Sequence, residues 1–382
     1  MFISAKSKYS AIPPSFLVLL LYWLFVQAFL FNHFGIVTKG EAIKYISEAG
    51  YWKQHHVFSQ PKYLFYSVYI FLVYVGFYIG SGAVGIYIFQ LGLCAVSLFF
   101  FFKLVKQITN SVKYASLAGF LLISCIPWQS WTTHIYTESI FISLTIIFTY
   151  YFLKPVKSKL DFFLTIILLL LLLFTRPTGL LFLPIIAISY CIKMIKEKKW
   201  EILILGSAIA FSGIIIVINH AMKGEGEFDF MKPFIEEHII CGVPQAVNNN
   251  LALPADGNSV QGLFYYIRHN PVHFLNLSFQ KSAAFFGFTR SYYSSKHNLV
   301  LTLFFYPLYI LAFTGLLIRR KEYNRYSLFF TAGILIFASS VILTCDDWLN
   351  RFIMPVLPYI IVLATTGIIT LINYFRKKKL PK

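Results

Sequence analysis

Acidic residues are the scarcest chemistry in this chain: 15 Asp and Glu stand against 33 Lys and Arg in 382 residues. Charged residues of both signs reach only 13%, too few to clothe a soluble domain of this length. Cysteine is sparse as well. Cys94, Cys125, Cys191, Cys241 and Cys345 are scattered, three of them inside apolar runs, and no CxxC or Cys/His spacing points to zinc. A Cys241–Cys345 disulfide on an outer face is conceivable. There is no HExxH motif and no repeat of fixed period, so neither a metalloprotease helix nor a solenoid is indicated.

What the chain has instead is hydrophobicity. Apolar residues make up 58%, mean hydropathy is +0.69, and 41 Phe with 25 Tyr supply rings of the kind that face lipid and line membrane interfaces. The net charge of +18 would suit a nucleic-acid binder if the cations shared one face. They do not. They cluster at the ends of apolar runs, as the positive-inside rule requires of a membrane protein, and nucleic acid is not an expected partner.

Ten spans are predicted, at about 12–35, 84–102, 114–128, 138–153, 161–175, 178–192, 201–219, 298–318, 327–344 and 352–375. The first run follows Lys6 and Lys8, is too long for a signal-peptide core and carries no clear cleavage site, so it reads as a retained span. With the N-terminus inside, 21 of the 33 basic residues fall in short inner segments. Residues 63–79 are apolar enough to cross, but a span there would put the later lysine clusters out of phase. They read as a re-entrant or interfacial helix on the outer side. The expectation is an all-α polytopic membrane protein with both termini cytoplasmic. It has a transmembrane module 1–219 with a catalytic first outer loop at 37–83, an outer loop with interfacial helices at 220–297, and C-terminal spans at 298–382.

This threading puts 11 of the 15 acids on the outer face, the place to look for chemistry. Glu41, Tyr45 and Glu48 have helical spacing, so a short helix after the first span would present them together. His134 and Glu138 are i,i+4 neighbours where the fourth span begins, near enough to pair or to share a metal, although two ligands make no metal site. Thr137 would cap that helix. Arg176 stands between two apolar runs, where a guanidinium needs an anion or must snorkel to the headgroups. Asp346, Asp347, Asn350 and Arg351 share a short hairpin between the last two spans, as a self-neutralising cluster or a polar binding site.

The order of these features resembles the GT-C superfamily of membrane glycosyltransferases, in particular its protein O-mannosyltransferase and aminoarabinose-transferase branch. The residues that carry the likeness are Gly40-Glu41-Ala42 with Tyr45 and Ala49, Thr137-Glu138-Ser139, Arg176-Pro177 with Gly179, and Arg351-Phe352 with Pro355 and Pro358. It covers most of 10–180 and the last two spans; 220–297 finds no counterpart. The resemblance implies a polyprenyl-phosphate sugar donor, transfer on the non-cytoplasmic face to a lipid, glycan or protein acceptor, and Glu41 as general base. The family's usual residue there is Asp, so Glu41 reaches one methylene further. Arg176 and Arg351 would contact the donor phosphate. Tyr45, His134, Glu138, Asp346 and Asp347 would bind substrate. No metal ligand set is named; a divalent ion is left open, since one base and one cation suffice when the leaving group is already a phosphate. Two other readings stand beside this one: a transporter or flippase of a lipid-linked sugar, and a polysaccharide polymerase or ligase. The first would carry ionisable residues at mid-depth on several spans, where this chain has almost none. The second would lean on outer-loop arginines such as Arg268 and Arg290.

Overall fold

In the computed structural model, the structure describes residues 13–156, 158–199, 201, 231–247, 250–254, 259–318 and 325–379. The predicted span 201–219 lies outside them. Among the described residues the secondary structure is helical, with two isolated bridges and no strand. The chain divides into two compact units, Met1–Gly179 and Leu180–Lys382.

In the first unit, α1 (Pro14–Phe34) starts at a proline and ends on Gly35, whose φ of 63° suits a residue without a Cβ. Leu19, Trp23, Val26 and Leu30 are buried while Phe25 is 71% exposed, so the helix is apolar on both its packed and its open faces. In water that exposed face would be costly; in lipid it is expected. After it come α2 (Glu41–His55), a 3-10 turn at Pro61–Tyr66, α3 (Ser67–Ile79), α4 (Gly82–Thr109), α5 (Val112–Ser124), the single turn α6 (Ile126–Gln129), α7 (Thr137–Leu153) and α8 (Lys159–Thr175). Ser111 caps α5, and Ser158 with Asp161 forms a capping box on α8. Thr137 is not a cap: it is the first residue of α7, Tyr136 holds the cap position but its side chain makes no capping bond, and the Thr137 hydroxyl donates to Glu138 instead.

Two ends of this unit can be told apart by contacts. At one, Phe16 meets Phe99 and Phe102, Phe100 meets Tyr150 and Tyr151, and Gln107 reaches the Leu153 carbonyl. Lys103 and the Lys154–Asp161 pair (2.7 Å) sit there. At the other end, Val37 pairs with His134, and Gln90 donates to the carbonyls of Thr132 and His134. Helix α3 stays by this second end. Tyr69 bonds Gln90, and a Cβ on Gly76 would strike Ile86, so its partners lie in the first third of α4. Its 13 residues extend roughly 20 Å, short of about 30 Å of hydrocarbon.

A polar network beneath this end has no counterpart in the sequence reading. Helix α5 stops at Ser124, level with Tyr22 in α1, and the chain climbs the rest of the way as a broken segment to Tyr136. Non-helical backbone at such depth survives only where protein groups satisfy it. Trp23 and Gln27 donate to the Gln129 side-chain Oε1 at 3.1 and 2.8 Å, the Gln129 amide donates to the Leu122 backbone carbonyl, and Thr132 donates to the Gln27 side chain. All four side chains are buried, so they supply inside the bundle what water would otherwise supply.

The second unit holds α9 (Phe182–Lys196), α10 (Lys232–Ile235), α11 (Val260–His269), α12 (Pro271–Gly287), α13 (Ser295–Ile318), α14 (Arg325–Leu343) and α15 (Leu357–Lys379). α13 and α15 pack closely because Gly315 and Gly367 face each other; a Cβ on either would hit the other helix's backbone. The last predicted span begins at Leu357, and 351–356 form turns. Cys241 and Cys345 are disulfide-linked, and Ile240 bridges Asp346, tying the α10 region to the hairpin that follows α14.

Among the described residues, five helices are long and apolar enough to cross a membrane: α1, α4, α13, α14 and α15. That is compatible with a multi-pass integral membrane protein. The predicted spans at 114–128, 138–153, 161–175 and 178–192 are shorter helices of 13, 17, 17 and 15 residues, so half of the ten fall below full crossing length or outside the described residues.

Candidate functional site

The candidate site lies at the His134 end of the first unit. Gly40, at φ 65°, turns the chain into α2, and the turn leaves room for the Tyr136 ring. The Tyr136 hydroxyl donates to the Lys39 carbonyl (2.9 Å) and accepts from the Glu41 backbone N–H (3.3 Å). The glycine is required twice, by its positive φ and because a Cβ there would overlap that hydroxyl. Gly40→Ala is therefore expected to lower the thermal midpoint of the detergent-solubilised protein by several degrees. About 1–2 kcal/mol of backbone strain, plus the displaced Tyr136 bonds, sets that scale. Gly40→Asn should fare no better, because the overlap remains and a ψ of −126° lies outside the left-handed region that Asn tolerates.

One turn into α2, Tyr45 is 1% exposed and donates to Glu41 Oε2 at 3.3 Å. Its ring packs against Tyr66 and Tyr69, with the Lys44 ammonium 4.7 Å from the Tyr66 ring centre. Burial raises the Tyr45 phenol well above its ordinary pKa. The charges of Glu41 and then Glu138 push it further the same way, and Arg176 pulls against them. Tyr45 therefore stays a neutral donor.

Glu138 and Arg176 form the centre. Arg176 Nη1 lies 2.7 Å from Glu138 Oε1; the carboxylate is wholly buried and the guanidinium nearly so. The guanidinium also stands over the Phe141 ring, 5.8 Å from its centre. Arg176 is extended backbone between α8 and the Pro177–Leu181 turn, and Gly179 packs so tightly on Leu172 that no Cβ fits. The Arg-Pro-x-Gly motif is thus a device for ending α8 and aiming one guanidinium into the bundle end.

The sequence brought Glu41 with Tyr45, Glu138 with His134, and Arg176 alone forward as separate groups, and the fold pairs Arg176 with Glu138. His134 is adjacent but does not pair with Glu138: its Nδ1 sits 3.0 Å from the Ser130 carbonyl and 3.2 Å from Thr133 Oγ1. Burial lowers its pKa, so the ring is held neutral more readily than usual. Glu48, expected beside Glu41 and Tyr45, is instead spent on Ser59, accepting from its backbone N–H at 2.7 Å and its hydroxyl at 2.5 Å. Among the described residues no group of three His, Cys, Asp or Glu is arranged to hold a metal.

The hairpin residues belong to the second unit. Asp346 is 1% exposed and pairs with Arg290 Nη2 at 2.5 Å, while Asp347 pairs with Arg351 Nε at 3.1 Å. Burial raises the Asp346 carboxyl despite the opposing pull of Arg290. The expected self-neutralising cluster is therefore two pairs, and the partner of Asp346 comes from 56 residues earlier, which no local spacing could reveal. Lys281 is also buried, donating to the Thr344 carbonyl at 2.5 Å beneath the Phe234 ring, and burial lowers its pKa to about 7.

No family model, curated protein or solved structure matches this chain.

Proposed function

We infer that the first unit carries the active centre of an integral membrane glycosyltransferase that takes a sugar from a polyprenyl-phosphate donor. One observation carries the reading. Glu41 and the Glu138–Arg176 pair, far apart in sequence, lie at the same bundle end, opposite Lys103 and Lys154, because Tyr136, two residues before Glu138, bonds the Lys39 carbonyl and the Glu41 N–H.

The chemistry needs a base, a cation near the leaving phosphate and a dry wall. Glu41 takes the proton from the acceptor hydroxyl as that oxygen attacks the anomeric carbon. The bond between that carbon and the phosphate oxygen breaks on the opposite side, and the lipid phosphate leaves with the electron pair, inverting the centre. Arg176 offsets the charge gathering on the phosphate. Glu138 aims Arg176, and Tyr45 fixes the Glu41 rotamer; His134, neutral, is placed to accept or donate one hydroxyl bond. The lysine-bearing end corresponds to the cytoplasmic side under the positive-inside rule. The Cys241–Cys345 disulfide, which forms and persists in oxidising compartments, supports placing the α10 region and its hairpin outside.

The test is transfer of radiolabelled sugar from a panel of polyprenyl-phosphate hexoses, pentoses and aminosugars in membranes that carry the protein. Release of polyprenyl phosphate with at least one donor is the expected result. Protein-dependent movement of an intact donor across sealed vesicles, with no sugar released from any donor, would replace the reading with a flippase.

A further inference from the structure

The second unit presents a rigid aromatic ledge that the transfer chemistry does not use. Tyr292 and Trp348 are 47% and 46% exposed, yet neither is loosely held. The hydroxyls of Tyr292 and Tyr293 both donate to the Trp348 carbonyl. The Tyr292 and Trp348 rings meet at 5.2 Å with 49° between their planes, and Tyr293 stacks on His297. Behind them the hairpin is fixed by the Arg290–Asp346 pair, by Asn350 donating to the Phe288 carbonyl, and by the Cys241–Cys345 disulfide. On the same hairpin, the Asp347–Arg351 pair brings a carboxylate and a guanidinium.

Two open ring faces at an angle, with an acid–base pair close by, match one ligand chemistry well. A pyranose has an apolar C–H face that lies on aromatic rings and a rim of hydroxyls that wants a carboxylate to accept and a guanidinium to donate. The alternative occupant of exposed Tyr and Trp is the lipid headgroup layer. Belt residues leave their polar ends to water and headgroups, whereas here both phenols are committed to the Trp348 backbone carbonyl, which fixes the rings. We propose that Tyr292 and Trp348, with Asp347 and Arg351, form a saccharide-binding ledge for a glycan chain. That the bound glycan is the acceptor rests on the transferase reading; binding itself does not.

The experiment uses the full chain in phosphatidylcholine nanodiscs, with cellotetraose, chitotetraose and α-mannotetraose as probes and saturation-transfer NMR as the readout. At least one tetrasaccharide should receive saturation from aromatic protons. Trp348→Ala should weaken its binding by at least tenfold, with the Cys241–Cys345 disulfide still formed as judged by non-reducing mobility. Glu41→Gln should bind it unchanged, which separates this site from the transfer centre. Saturation of none of the three, or quenching of Trp348 by brominated lipid (wild type less Trp348→Phe), overturns the ledge and leaves a membrane-belt residue. Neither result bears on whether sugar is released from a lipid donor.

Discussion

Glu41→Gln is expected to abolish sugar release almost completely, by about 10²–10⁴-fold, while the protein folds and still binds donor. Gln keeps the length of Glu41 and can still accept from Tyr45, so the arrangement held at 3.3 Å by that hydroxyl survives. What it cannot do is take a proton. The loss should therefore appear in kcat, with donor KM little changed, since only an interaction made in the transition state has been removed. Glu41→Asp is the informative companion. It restores the residue usual in the resembled family but draws the carboxylate back one methylene, so it should keep a measurable fraction of the rate and raise acceptor KM. Full transfer by the Gln variant would remove the general base from the mechanism.

Glu138→Ala should have the largest effect on stability. It leaves the Arg176 guanidinium inside the bundle without its principal counterion, a loss of about 3–5 kcal/mol for a buried pair broken on one side. Thermal unfolding in detergent, followed by tryptophan fluorescence, would register it as a marked fall in midpoint. The double variant Glu138→Leu with Arg176→Met should recover most of that stability, because two apolar side chains of similar bulk remove both desolvation costs together. It should recover no transfer. That split between stability and activity is what distinguishes a pair needed at the leaving phosphate from one that only holds helices together. Recovery of transfer by the double variant would assign Glu138 and Arg176 to architecture alone.

Legibility differed by element. Helices α1, α4, α13 and α14 were plain because each is a long apolar run bounded by cations, proline or glycine, and burial in lipid needs no partner to be favourable. The Gly40-Glu41 turn and the Arg176-Pro177 stop were visible as motifs because backbone rules act within a few residues. Span number was less readable. Helix α5 ends at Ser124, and the turns to Tyr136 are held by Gln90 of α4, which donates to the Thr132 and His134 carbonyls, and by Gln27 of α1, which bonds the Gln129 and Thr132 side chains. A glutamine in an apolar run gives no hint of which carbonyl it will meet. The same blindness hid Ser59 as the partner of Glu48 and Arg290 as the partner of Asp346.

By itself the sequence determined that this is a helical protein with membrane-length apolar segments, a scarcity of acids, and most of its cations gathered at the ends of those segments. Hydrophobicity and charge act locally, so each residue carries that information alone. Only the tertiary structure decided which acid meets which cation: Arg176 with Glu138, and Arg290 with Asp346. A buried charge is stable only beside its counterion, and the chain can bring that counterion from 38 or 56 residues away.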